Sequence, residues 1–320
     1  MNTQIKLAII AIAIVIPLAS LAVTQTNSPS NNSTNENSKL QVVASATFLY
    51  EFSQNIGKEM IDVTLLVPMG ADPHDWEPTI RDTERLQKTD MIIVNGIGYE
   101  HWLNSLELSD IAGILVDTSN GISTLDSANH DEEKHDDHAK EDGHDDEDNH
   151  NHGVLDPHIW LNPVFAQLQV KNIANALSNS DPTNKNYYQS NAAIYNQKLN
   201  LLDTKIRTEL SGCKTDFITF HDAFSYFSEE YGLTQHTIIS STDSHGDVTP
   251  KTLEHIISLA RELNIKVIFA EENTSTKTSQ VIADEIGGKV LVLSPLEIVS
   301  DETYVEKMTQ NLESLKDALC

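Results

Sequence analysis

The sequence predicts an α/β protein of two lobes, each with a roughly four-stranded parallel sheet flanked by helices, joined by a long rigid helix. Three observations predict it. From Leu40 onward, short apolar runs alternate with amphipathic stretches. The same rhythm restarts near residue 215. Between the two runs lies a helical stretch long enough to cross a domain.

In the first lobe, strands are expected over residues 41–46, 62–67, 91–95 and 114–117. Several are apolar on both faces, as strands of a covered parallel sheet are. Strand and helix in alternation argue for right-handed βαβ units. In the second lobe, strands are expected over 216–220, 236–239, 267–270 and 290–293. A helix over 252–263 shows Leu253, Ile256, Ile257 and Ala260 on one face, and the last helix repeats Val305, Met308, Leu312, Leu315 and Leu319 at steps of three and four. The linking region, 156–211, carries a first stripe at Val170, Ile173, Ala174 and Leu177, a break at Asp181-Pro182, and a second stripe from Tyr195 to Leu210. Residues 186–210 contain no glycine and, at ~1.5 Å per residue, span roughly 36 Å as a stiff strut. The lobes are therefore placed at 40–155 and 212–320.

Two segments stand outside any core. Residues 7–23 are almost wholly apolar behind Lys6, and Ser20-Leu21-Ala22 offers a small-x-small cleavage pattern. Residues 1–24 thus read as a signal peptide or membrane anchor, with the polar stretch 25–39 as a tether; no cysteine follows the run to carry a lipid. Asn31 and Asn32 open glycan-acceptor triplets. Residues 126–152 hold six histidines, His130, His135, His138, His144, His150 and His152, among twelve carboxylates and no apolar period. Such a segment cannot bury a core, and weak multiple cation binding is its expected role. About 250 residues remain, enough for two ordinary domains.

With 21 basic and 48 acidic residues, the chain has a net charge of −27. That sign excludes phosphate-backbone binding and suits cations. Cys213 and Cys320 can pair in an exported chain or stay as two thiols; sequence shows no distance between them.

Chemistry concentrates at three histidines. Gly70-Ala71-Asp72-Pro73-His74-Asp75-Trp76-Glu77-Pro78 follows an expected strand and precedes a helix starting near Thr79. That is the carboxyl end of a sheet strand, where α/β proteins place ligands. Asp156-Pro157-His158-Ile159-Trp160 repeats the pattern, and a carboxylate two residues before a histidine can orient its ring. Thr219-Phe220-His221-Asp222 ends the first strand of the second lobe. Alone, each histidine is more often a turn or core residue, with Asp222 a ready partner for His221. Together, three imidazoles at strand ends facing one cleft point to Zn²⁺. His101, His236 and His255 lack such support, and His245 is at most an auxiliary loop site.

These motifs resemble the metal-binding solute-binding proteins of ABC importers, the ZnuA/TroA group. The DPHDWEP loop, VNGIGYEHWL, the acidic His-rich insertion, DPHIWLNP, FHDAFSYF and VTPKTLEHI carry the resemblance across nearly all of 40–319. It implies two α/β lobes with one metal in the cleft, and as partners a membrane permease and its ATPase. Carried over by position, His74, His158 and His221 match the family's ligands. Manganese-binding relatives usually have glutamate at the position of His221, so histidine there looks like the zinc branch, in keeping with imidazole's preference for Zn²⁺. Many members take a fourth ligand from an aspartate near the last strand, where this chain has Ser294. Water, Glu77, Glu271 or Glu297 can fill that place, and Glu271 is the expected choice.

The expected function is an extracytoplasmic receptor that captures Zn²⁺ as cargo for an ABC permease, without catalysis and as a monomer. A manganese or iron receptor, a zinc hydrolase and a zinc-binding adhesin are the competing readings. No HExxH motif supports a hydrolase. A histidine-built site should lose affinity as pH falls below about 6.

Overall fold

The computed structural model describes residues 39–68, 71, 73–107, 111–125, 155–239, 248–272 and 276–320. The apolar N-terminal run, the glycan triplets, Gly70, Asp72, the six-histidine segment and His245 lie outside them. Among the described residues, no helix is long and apolar enough to cross a membrane.

The first sheet contains β1 (Leu40–Ala44), β2 (Ile61–Leu65), β3 (Met91–Val94) and β4 (Ile114–Asp117), all parallel, in the order β2-β1-β3-β4. The second contains β5 (Asp216–Thr219), β6 (Thr234–Thr237), β7 (Val267–Ala270) and β8 (Lys289–Val292), parallel in the matching order β6-β5-β7-β8. The first strand of each lobe therefore lies inside its sheet, and the chain leaves it toward the same end as every neighbour. β3 is buried along its length, as its MIIV sequence requires. β4 is an edge strand, and Ile114 and Leu115 remain 57% and 46% exposed because nothing among the described residues covers that edge. β6 begins two residues earlier than expected. Its register is set by pairing of Asp216 with Thr234, which leaves the apolar Ile238 and Ile239 beyond the strand, packed in the second lobe's own cluster.

Between β1 and β2 runs α1 (Thr47–Gly57), which buries Phe48, Leu49, Phe52 and Ile56 on one face. The α2 helix (Ile80–Leu86) starts at Thr79, whose side chain and that of Asp82 cap each other's backbone N–H groups. The linking region is a helical hairpin. Asn162 caps and Pro163 opens α3 (Pro163–Ser180), and Asp181 turns the chain into α4 (Lys185–Glu209). The two helices run antiparallel, as Gln189 reaching Ser178 and Asn196 reaching Gln167 show.

α4 is the expected strut. Its first half is fixed to α1, with Asn191 Nδ2 donating to the Ile56 carbonyl at 3.0 Å and Tyr195 Oη to Glu51 Oε1 at 2.7 Å. Its second half meets the last helix of the chain, α8 (Tyr304–Leu319), through Lys205 with Glu313 and Lys316 with Glu209. The second lobe is completed by α5 (Ser225–Tyr231), α6 (Pro250–Glu262) and α7 (Lys277–Ile286). Cys213 and Cys320 form a disulfide, with Cα atoms 4.7 Å apart, which ties the end of α8 to the entrance of β5.

One apolar core runs through both lobes. It links Phe52 and Trp160 through Tyr195 and Leu202 to Phe217, Phe269 and Leu312. Leu40–Cys320 is correspondingly one compact unit.

Candidate metal centre

Each of the three histidines is delivered by a different carboxyl-terminal loop. His74 lies in a turn after β2, with buried Pro73 before it and the capped start of α2 a few residues on. Its ring meets Tyr99 edge-on at 5.5 Å. His158 sits between β4 and α3 on a segment clamped at two carbonyls. Asn95 Nδ2 donates to the Pro157 oxygen at 2.8 Å, and the Tyr226 hydroxyl donates to the Asp156 oxygen at 2.8 Å. His221 follows β5 directly, and its carbonyl accepts from Thr219 Oγ1 and Gln235 Nε2.

The three rings converge. Their centroids lie 5.6 Å (His74 and His158), 5.3 Å (His158 and His221) and 6.3 Å (His74 and His221) apart. Nε2 of His158 and Nε2 of His221 are 3.4 Å apart. A carboxylate joins them: Glu297 Oε1 is 2.8 Å from His74 Nε2 and 3.5 Å from His158 Nε2. The four ligand atoms offered by His74, His158, His221 and Glu297 all lie within 4.8 Å of one another. Four ligands at ~2.0–2.1 Å from tetrahedral zinc are ~3.3–3.4 Å apart, so the pairs at 3.4 and 3.5 Å already have the spacing that the ion requires.

The outer nitrogens explain why Nε2 points inward. His158 Nδ1 is 2.7 Å from Asp156 Oδ1, which also accepts the His158 backbone N–H at 2.9 Å. His221 Nδ1 is 2.6 Å from Glu271 Oε1, which likewise accepts the His221 backbone N–H at 3.1 Å. A neutral imidazole that donates from Nδ1 to a carboxylate keeps its Nε2 lone pair free for a cation. Without a cation, a proton can take that place. Burial opposes charge on His158, but the Asp156 and Glu297 carboxylates outweigh it and raise the imidazole to about 10. Burial also opposes charge on Glu297, and the imidazoles of His74 and His158 hold its carboxyl well below the usual range.

Residues 42–318 match the profile of the family described as ZnuA, zinc-uptake complex component A, periplasmic. The chain belongs to the ZnuA family. Over 290 residues it is 41% identical to the Bacillus subtilis high-affinity zinc uptake system protein ZnuA, covering 88% of each chain. It is 32% identical over 287 residues to the zinc-binding protein AdcA of Streptococcus pyogenes, covering 87% of this chain but 56% of that longer one. The crystal structure of the metal-dependent lipoprotein YcdH from Bacillus subtilis superposes with a TM-score of 0.72 at 37% identity, over 88% of this chain and 99% of that one. ZnuA is a family of uptake components rather than enzymes.

Within this ZnuA-family chain, the structure brings His74, His158 and His221 together and sets the expected fourth residue apart. Glu271 does not join the Nε2 atoms. It leaves β7 behind His221 and is engaged by that residue's Nδ1 and backbone N–H. Glu77 lies away from the cluster, accepting from Ser105 Oγ at 3.4 Å. Asp222 accepts from Ser225 rather than from His221. The carboxylate that does arrive is Glu297, one of the alternatives named for the fourth place. The backbone delivers it unusually: the preceding Leu296 is buried and left-handed, with φ 62°. That conformation costs a residue with a Cβ roughly 1–2 kcal/mol. Nothing in a leucine announces it. His101 and His255 are exposed, and His236 pairs with Asp216 at 3.0 Å.

Proposed function

We propose that this chain is an extracytoplasmic receptor that binds Zn²⁺ through His74, His158, His221 and Glu297 and passes it to the permease of an ABC importer. The observation that carries the reading is the meeting of three imidazole nitrogens and one carboxylate oxygen within 4.8 Å of one another, from loops of both lobes. Catalytic zinc sites keep one position open for water or substrate, whereas this one has a protein group for every tetrahedral position. Glu297 therefore speaks against a hydrolase. Three nitrogens to one oxygen favour zinc over manganese.

Residues 7–23 serve as a signal or as an anchor that keeps the receptor at the membrane. The six histidines of 126–152 raise the local zinc concentration next to His158 without forming the tight site. A monomer suffices, because every ligand comes from one chain.

The test is the metal content and affinity of the purified chain, with zinc and manganese in competition. One tightly held zinc is expected, lost in His74→Ala and in His221→Ala and retained after deletion of 126–152. Undiminished zinc binding in both histidine variants would sink the reading. For the uptake role, a strain lacking the protein should stop growing when zinc is scarce; normal growth, with no second zinc importer present, counts against it.

A further inference from the structure

The short arm that brings Glu297 to the histidines is held from both sides by residues that are not ligands. It leaves β8 at Leu293, and the buried Asn311 amide clasps Ser294 at both its N–H and its carbonyl, at 2.7 Å each. The Ser294 hydroxyl then does two things. It donates to Glu272 Oε2 at 2.9 Å and accepts the Leu296 N–H at 3.2 Å. Glu272 is itself fixed by Lys307, whose Nζ lies 2.8 and 2.7 Å from its two oxygens and whose side chain is 6% exposed. From the other side, Trp160 Nε1 donates to the Pro295 carbonyl at 2.8 Å and Thr47 Oγ1 donates to the Leu296 carbonyl at 3.0 Å.

Leu296 is thus pinned at its N–H by the second lobe and at its carbonyl by α1 of the first. A left-handed leucine is not a resting conformation; it persists where its surroundings over-determine it. The next residue is the carboxylate facing His74.

We propose that Ser294, braced by Glu272 and Lys307, is a positioning residue that locks Leu296 in its left-handed form and so holds the Glu297 carboxylate at the metal site before zinc arrives. The proposal rests on Glu297 being the fourth ligand. It also gives Ser294 a role at the place where many relatives are expected to carry a ligating aspartate: the hydroxyl ligates nothing and instead aims a carboxylate three residues further on. Without the hydroxyl, the buried Leu296 N–H has no acceptor, the leucine relaxes toward an ordinary conformation, and the Glu297 side chain leaves Nε2 of His74.

The experiment is a double-mutant cycle on the full chain, reading zinc affinity by competition with a chromogenic chelator. Ser294→Ala should weaken zinc about tenfold or more, within the range for residues that orient ligands. Ser294→Thr, which keeps the hydroxyl, should restore most of the affinity. In the Glu297→Gln background, Ser294→Ala should cost nothing further. Thr47→Val, at a half-buried helix start, tests the same arm from the other lobe and carries the cycle if the Ser294 variant fails to fold. Full affinity in Ser294→Ala, or an equal loss with and without Glu297, would overturn the positioning role. Tight zinc binding in His74→Ala would instead defeat the receptor reading itself, so the two failures are separable.

Discussion

Oε1 of Glu297 lies 2.8 Å from Nε2 of His74, although 223 residues separate them in the chain. The contact spans the cleft between the lobes, and a cation placed there answers both groups at once. Glu297→Gln keeps the size and removes the charge. It should weaken zinc by about 10- to 100-fold, while His74→Ala abolishes tight binding. Chelator competition at fixed pH measures both. An unchanged affinity in Glu297→Gln would remove the carboxylate from the site.

Proton competition should reach well above the usual histidine range. Asp156 and Glu297 hold the His158 imidazole at about 10 in the metal-free protein, whereas zinc needs it neutral. Affinity should therefore rise about tenfold per pH unit for each proton displaced, from neutral pH toward 10. Calorimetry in buffers of different ionisation enthalpy should show at least one proton released per zinc near pH 7.5. Proton-independent binding at that pH contradicts the coupling.

The same raised value gives metal-free stability a direction. His158 has a folded-state value above its ordinary 6.5, so its ion pairs stabilise the apo protein fully below that pH. Their contribution is lost as pH rises through about 10. Urea unfolding of the zinc-free protein at pH 7 and at pH 9.5 should show the decline, and the zinc-loaded protein, whose His158 is already neutral, should not share it.

Asp156 and Glu271 bond the outer Nδ1 atoms of His158 and His221, so at the proposed zinc site they would act only through the rings they hold. Asp156→Asn and Glu271→Gln should each lower affinity by about 10- to 100-fold while leaving four protein ligands, a result that X-ray absorption at the zinc edge can verify. Replacement of a histidine ligand by water in the Glu271 variant would show that the ring had turned.

Removing the disulfide should cost stability without touching the metal. Cys213 and Cys320 close a loop with a sequence separation of 107 residues. Opening such a loop typically costs about 2–5 kcal/mol. Cys213→Ser with Cys320→Ser should unfold at lower urea yet bind zinc with unchanged affinity. An equal stability with and without the bridge would contradict the constraint.

Much of this was legible in the sequence, because both lobes obey periodicities that do not depend on distant contacts. All eight strands are found in the expected order, and the helix expected near Thr79 begins there because its cap is written locally in Thr79 and Asp82. β6 slid by two residues because its register is fixed by pairing with β5, which no local pattern reports. At the metal centre, each histidine sits in a loop whose Asp-Pro or strand-end context marks it. Glu297 carries no such mark. Its approach depends on the backbone handedness of Leu296 and on bonds to Thr47 and Trp160, more than a hundred residues away. Glu271 was a reasonable expectation from its strand end. Its side chain meets His221 Nδ1 instead, because a strand end fixes where a residue begins, not which nitrogen of a neighbouring ring its side chain meets.

The apolar core shared by Phe52, Tyr195, Leu202, Phe269 and Leu312 has a thermal consequence. Two sheets of identical strand order suggest a molecule that melts twice, one half after the other. A continuous interior forbids that, since neither half can lose its packing without exposing the other's. Heating should produce a single endotherm with matching calorimetric and van't Hoff enthalpies, and zinc should shift it without splitting it.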